Sequence, residues 1–168
     1  MRRRSPRGGR LPANPMSGGL LLRDRRATRA LALQLAHRLT GAELLLLTGE
    51  LGSGKTTFVR YLAQALGLDP AWVSSPSFTL LQRYPPGSRG FGITHVDLYR
   101  LAPGDELEPL GLEEALAGPD LVVVEWPAAG AALWAATERP TWTIRFAVDE
   151  SAQRLAWVQQ PKGERPLE

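Results

Sequence analysis

The sequence predicts an α/β domain, a mixed central sheet sandwiched between flanking helices. Three observations carry this reading. Short aliphatic runs alternate along the chain with segments of helical periodicity. A glycine-rich turn joins one of these runs to the helical segment behind it. Two strand-like segments, 141–148 and 154–159, close the chain as a pair.

The elements follow in order. Folded sequence begins near Leu20 and runs to about residue 160 as one domain. Residues 24–39 carry Ala27, Ala30, Leu31, Leu35 and Leu39 at spacings of three and four, a helical stripe that Gly41 ends. Residues 43–48 hold four consecutive leucines and are short, which predicts a buried strand. Residues 58–66 return to helical periodicity, with Gly67 as the stop. Residues 78–84 alternate like a strand, Pro85, Pro86, Gly87 and Gly90 make a turn, and 91–96 form a second strand. Asp105 is placed to cap a short helix reaching about Leu116. Residues 121–124 are an aliphatic strand ending at Glu125. No internal repeat and no linker divides the chain.

A length of 168 residues suits one core. The absence of cysteine excludes a disulfide framework, a thiolate zinc site and a cysteine nucleophile together. The longest aliphatic runs are far short of the ~20 residues that span a bilayer, so no membrane association is expected. No continuous apolar stretch follows the N-terminal arginines, so a secretory signal is not expected either, and the protein reads as cytoplasmic. The net charge of +3 is misleading, because Arg2, Arg3, Arg4, Arg7 and Arg10 fall within the first fifteen residues, which hold no acid. Without them 15 basic residues face 17 acidic ones, a balance of −2. Residues 1–19, rich in Arg, Gly, Pro and Ser, read as a disordered basic tail, and 161–168 as a disordered C-terminus. Nucleic-acid contact by the arginines, or a true start at Met16, are the other readings of that tail.

The chemistry is concentrated in Gly49-Glu50-Leu51-Gly52-Ser53-Gly54-Lys55-Thr56, which fits G-x-x-x-x-G-K-[ST] at every fixed position. Backbone N–H groups surround a polyphosphate only where no Cβ blocks their approach, hence Gly49, Gly52 and Gly54. The helix that follows points its positive end at the same anion. Lys55 reaches the β- and γ-phosphates, and the Thr56 hydroxyl is a ligand for Mg2+. The setting is right, since the motif follows an aliphatic strand and opens a helix. The fold class therefore sharpens to a P-loop NTPase-like sandwich. Only Lys55 and Lys162 are lysines in a chain that otherwise uses arginine, which marks Lys55 as a position that needs a compact ammonium.

Such a site needs a second acid from a neighbouring strand to hold the metal's water shell. Glu125, at the end of a buried strand, is placed for that. Asp97, after the strand at 91–96, is a second candidate, with a cap on the turn at 98–101 as its plain structural reading. His95 reads as a strand residue with a satisfied ring, and His37 as solvated. Trp72, Trp134, Trp142 and Trp157 read as packing. Trp126 stands apart only because it adjoins Glu125.

Taken together, four segments resemble the TsaE (formerly YjeE) family, the small bacterial ATPases of tRNA threonylcarbamoyladenosine synthesis. They are residues 47–57 around the glycine-rich loop, Ser75-Pro76-Ser77-Phe78-Thr79-Leu80, His95-Val96-Asp97-Leu98-Tyr99-Arg100-Leu101, and Val124-Glu125-Trp126-Pro127. Residues 106–112 are similar to the family's Glu-Leu…Gly segment, and the resemblance is good over about 22–127. Ser53 and Ser77 replace the family's usual Ala and Thr, and the run after Pro127 lacks an acid the family carries there.

The resemblance implies ATP and Mg2+ as cofactors. Thr56 and Glu125 would bind the metal. Gly52, Ser53, Gly54, Lys55, Thr56 and Thr57 would hold the nucleotide, with looser matches at Thr28 and Arg154. Asp97, with Glu125, would serve hydrolysis, and residues 75–79 would form a switch-like segment sensing the γ-phosphate. The implied partners are the TsaD and TsaB proteins, with tRNA met only through that complex. The implied job is to hydrolyse ATP and so drive or reset the complex. Two other readings stay open: a nucleotide-dependent binding module without significant hydrolysis, and a small P-loop kinase. Arg83, Arg89 and Arg100 form no obvious lid of the kind a kinase uses. The absence of an Asn-Lys-x-Asp signal leans towards ATP over GTP.

Overall fold

The computed structural model describes residues 19–163. The expected tail and C-terminus therefore lie outside the described residues, apart from Gly19 and residues 161–163. Among the described residues there are seven strands: β1 (Leu20–Leu22), β2 (Leu44–Thr48), β3 (Leu81–Tyr84), β4 (Ile93–Asp97), β5 (Leu121–Glu125), β6 (Thr141–Val148) and β7 (Arg154–Gln159). They form one sheet in the order β1-β7-β6-β2-β5-β4-β3. The four central strands run parallel, and β1, β7 and β3 are antiparallel to their neighbours, so the sheet is mixed as expected.

Helices α1 (Arg25–Ala36) and α2 (Lys55–Ala65) cover one face. Leu31, Leu35, Phe58 and Leu62 meet Leu45, Leu47, Trp142 and Ile144 there. The short helices α3 (Leu112–Ala117) and α4 (Ala131–Ala136) cover part of the other face, where Leu44, Val122 and Val124 pack with Leu112 and Trp134. Strands β2 and β5 are thus apolar on both sides, which is why they read as unbroken aliphatic runs rather than alternations.

The structure differs from the sequence reading at several boundaries. α1 stops at Ala36, before the predicted Leu39, although Leu39 is still fully buried. α2 begins at Lys55 rather than 58, because Lys55, Thr56 and Thr57 carry the site and interrupt the apolar stripe. β3 begins at Leu81, not 78, because residues 77–79 form a turn and Leu80 takes a positive φ of 62°. β4 extends to Asp97. Asp105 does not cap α3. Its carboxylate accepts from the Ala102 amide in a turn, and the helix starts seven residues later, behind Gly111 with φ 65°. Strand β1 and helix α4 have no counterpart in the sequence reading, since elements of three and six residues are too short to show a period.

Arg139, which the sequence did not single out, ties the lower edge together. Its guanidinium donates to the carbonyls of Leu116, Gly118 and Asp120 behind α3 and of Glu43 at the start of β2. The chain segments entering β2 and β5 are thereby tied together at the end opposite the site.

Candidate functional site

The site lies where β2, β4 and β5 end. Parallel register puts Leu47 opposite Glu125 and Asp97 opposite the same Glu125, so both acids and the glycine-rich loop share one edge of the sheet. The loop itself needs glycine for two separate reasons. Gly49, Gly52 and Gly54 have φ of 138°, 77° and 112°, a region that side chains rarely enter. At Gly49 a Cβ would also lie 2.3 Å from the Phe146 carbonyl on β6, whereas at Gly52 and Gly54 it would meet nothing within 4 Å. Close backbone packing, not only access to an anion, therefore demands glycine at position 49.

Lys55, the first residue of α2, is 4% exposed. Its Nζ donates to the carbonyls of Gly49 at 2.8 Å and Glu50 at 2.9 Å, and lies 4.0 Å from the centre of the Trp126 ring. Burial lowers its pKa, and the charges of Glu125 and Asp97 act the other way. Thr56 donates its hydroxyl proton to both oxygens of Glu125, at 2.9 and 3.0 Å. Glu125 also meets the Nε2 of His95 at 3.0 Å, and both side chains are buried.

Asp97 is held from three sides. Ser75 and Ser77 donate to Oδ2 at 2.6 and 2.7 Å, and the Tyr99 amide donates to Oδ1 at 3.0 Å. The last bond is the turn cap expected on the plain structural reading, and it coexists with the serine contacts. Arg100 stacks on the exposed Phe78 ring at 4.3 Å. The pocket these residues enclose is lined by Gly52, Gly54, Lys55, Thr56, Thr57, Ser75, Ser77, Asp97 and Glu125 among others, and Lys55 is the only cation in that lining among the described residues.

A neighbouring cleft of about 400 Å³ shares Gly52, Gly54 and Thr57 with this pocket and is lined as well by Thr28 and Arg154. The two loosely matched positions thus sit beside the loop, Thr28 from the first turns of α1 and Arg154 from the start of β7. Ser53 differs from its neighbours. Its hydroxyl is buried without a hydrogen-bond partner, and the residue lines the same cleft although it is only 1% exposed.

The donors fit a hard cation. Thr56 and Glu125 offer oxygen at the helix start, and Asp97 stands on the paired strand. No group of three or more His, Cys, Asp or Glu side chains is arranged to hold an ion among the described residues. Thr56 and Glu125 are the oxygen donors that would hold such a cation together with water and phosphate.

His95 is the strand residue that the sequence predicts, but its ring is only half satisfied: Nε2 meets Glu125, and Nδ1 has no hydrogen-bond partner. His95 and Asp97 are two apart on β4 and so share one face, and the β4–β5 register, which a single sequence does not display, puts Glu125 on that face.

A strand, a glycine-rich loop and a helix, backed by acids from two parallel neighbours, define the class: an α/β protein of the P-loop type. A family model described as threonylcarbamoyl adenosine biosynthesis protein TsaE matches residues 22–156. The chain belongs to that family. It is 41% identical over 107 residues to the tRNA threonylcarbamoyladenosine biosynthesis protein TsaE of Rickettsia felis, a match covering 64% of this chain and 61% of that one. It is 43% identical over 99 residues to the protein of the same name from Streptomyces coelicolor, covering 58% of this chain and 66% of that one. The matched stretch thus spans somewhat less than two thirds of either relative. Among solved structures, that of Bacillus subtilis YdiB superposes with a TM-score of 0.63 over 85% of both chains at 24% identity, which supports the fold. No helix among the described residues is long and apolar enough to cross a membrane.

Two alanine substitutions separate the roles of the glycines. Gly49→Ala combines a left-handed backbone with a clash against Phe146 and is expected to destabilise the fold by about 3 kcal/mol or more, whereas Gly52→Ala carries the backbone term alone, about 1 kcal/mol. Urea unfolding measures both, and equal midpoints for the two variants would contradict the packing role of Gly49.

Proposed function

We propose that this chain is a Mg2+-dependent ATP-binding and ATP-hydrolysing subunit that drives or resets the complex making threonylcarbamoyladenosine in tRNA. The observation that carries the reading is the Thr56–Glu125 hydrogen bond at the mouth of a P-loop whose lysine is buried. Family membership gives the pathway, and the site chemistry supports the activity. TsaD and TsaB are the proposed partners, tRNA is met only through them, and the compartment is the cytoplasm.

In this reading the loop amides, Lys55 and Thr57 take the phosphates. Thr28 and Arg154, lining the adjoining cleft, contact the rest of the nucleotide. Thr56 and Glu125 would hold Mg2+, which neutralises charge on the phosphate oxygens. Hydrolysis requires a water in line with the bond to the leaving ADP. Asp97, steadied by Ser75, Ser77 and the Tyr99 amide, is the group suited to orient it. Water attacks the γ-phosphorus, the bond to the bridging oxygen breaks, and the proton of the water leaves on inorganic phosphate. Ser75 and Ser77 connect this carboxylate to the segment 75–79, so the segment's position and the site's chemistry are coupled.

Two observations favour a slow enzyme that its partners complete. Arg100, the arginine nearest by motif, is stacked on Phe78, and no other cation but Lys55 lines the pocket among the described residues. An arginine supplied in cis or trans contributes about 10³- to 10⁵-fold in such reactions. Leu51, Phe78 and Tyr99 stand 76%, 85% and 50% exposed around the mouth, as a docking surface would have them. A pure binding module would need neither Asp97 nor its two serine contacts.

Lys55→Ala removes a charge-assisted contact worth about 1.5–3 kcal/mol, so affinity for a fluorescent ATP analogue is expected to fall at least tenfold with the fold intact. Glu125→Gln is expected to retain nucleotide while turnover drops tenfold or more. Unchanged affinity in the first, or unchanged turnover in the second, would contradict the assigned role.

The function as a whole is tested by steady-state phosphate release from this chain alone and then with TsaD, TsaB and tRNA added. The expected result is a low rate alone that the partners raise. A high rate alone, unaffected by partners, would return weight to a self-sufficient enzyme, and no release under any condition would favour the binding module.

A further inference from the structure

The strongest unassigned group in the molecule is His95. It lies on β4, is fully buried, and faces the same side of the sheet as Glu125. Its Nε2 is 3.0 Å from Glu125 Oε1, and its Nδ1 has no hydrogen-bond partner. Tyr84 packs beside it, with ring centres 6.3 Å apart. Because the carboxylate only accepts, the proton of a neutral imidazole belongs on Nε2, which leaves Nδ1 as a buried lone pair without a donor. Burying such an atom is unfavourable, and an apolar side chain of similar volume would avoid the penalty. Packing alone therefore does not account for a histidine here. The bond to Glu125 does.

We propose that His95 is the positioning residue for Glu125, and through it for Thr56. This rests on the Mg2+–nucleotide reading above. A carboxylate at the end of a glutamate rotates broadly about its last torsion. The Nε2–H of His95 fixes Oε1 from inside the sheet, and Thr56 then donates its single proton to the fixed carboxylate. With that proton committed, the lone pairs of Thr56 are directed away from Glu125, where a cation at the start of α2 can use them. The three side chains form one line from β4 through β5 to α2. His95 touches neither nucleotide nor metal in this scheme, and its effect is on how well the metal strengthens nucleotide binding.

The test measures affinity for a fluorescent ATP analogue with Mg2+ and with EDTA, and takes the ratio. His95→Met fills the volume without a donor. It is expected to cut the Mg2+-dependent gain in affinity at least fivefold, to leave the EDTA affinity within twofold of wild type, and not to lower Tm. His95→Gln, whose amide nitrogen reaches the position of Nε2, is expected to keep most of the gain, and His95→Asn, whose amide ends near Nδ1, to lose it. In a Glu125→Gln background His95→Met should add less than twofold. If His95→Met does not fold, the comparison of Gln with Asn decides.

The proposal is overturned if His95→Met retains the gain, if Gln falls as far as Asn, or if His95→Met is equally damaging with Glu125 already replaced. A wild-type protein whose affinity ignores Mg2+ overturns the parent reading, and this one with it. A wild-type gain that survives loss of the His95 donor overturns this proposal alone.

Discussion

The Thr56 hydroxyl donates to Glu125 across 69 residues of sequence, and it joins the first turn of α2 to the end of β5. The contact exists only because β2, β4 and β5 are parallel and in a particular register. Leu47 lies opposite Glu125, and Asp97 lies opposite it from the other side. A slip of one residue in either ladder would turn an acid to the opposite face of the sheet. The apolar pattern forbids that slip, since Leu45 and Leu47 pack under α2 while Leu44 packs against α3 and α4. The core thus specifies the site's geometry, and Arg139 ties the entries of β2 and β5 together at their far ends.

The loop rests in a closed arrangement of its own making. Lys55 is satisfied by two loop carbonyls and the face of Trp126, which in turn packs on Tyr99 with ring centres 4.9 Å apart. Trp126 sits at φ 58°, an uncommon backbone region for a bulky side chain and one that costs about 1–3 kcal/mol. Strain of that size at a site edge persists only where surrounding contacts over-determine it. Here the ring's stacking and the turn into Pro127–Gly130 supply them.

Much of the site is legible in the sequence. The loop pattern carries its own geometry, because strand, glycines and helix occur at fixed spacing, and Glu125 and Asp97 are visible as acids at the ends of strands, the first of them aliphatic. Thr28 and Arg154 are not legible from periodicity. They lie on α1 and β7, far apart in sequence. Only the family resemblance points to them, and the fold brings both into one cleft. His95 is legible as a strand residue but not as a partner of Glu125, since a pairing between strands depends on register that one sequence does not display. Residues 78–80 read as strand because they alternate, yet Leu80 turns the chain through a positive φ, a local choice made by the hydrogen bond from its amide to Pro76. α4 is six residues rich in alanine, and its position is set by Trp134, whose indole donates to the Pro127 carbonyl. That is a tertiary contact with no local signature.

If the edge formed by the loop, Thr56 and Glu125 receives a Mg2+–nucleotide, a crystal structure of the chain with Mg2+ and a non-hydrolysable ATP analogue shows it most directly. The expected result is Lys55 Nζ moved from the Gly49 and Glu50 carbonyls onto phosphate oxygen, and a metal about 2.1 Å from Thr56 Oγ1 with Glu125 still bonded to His95. A nucleotide bound elsewhere, or one bound at the loop with Lys55 unmoved and no metal beside Thr56, would contradict it.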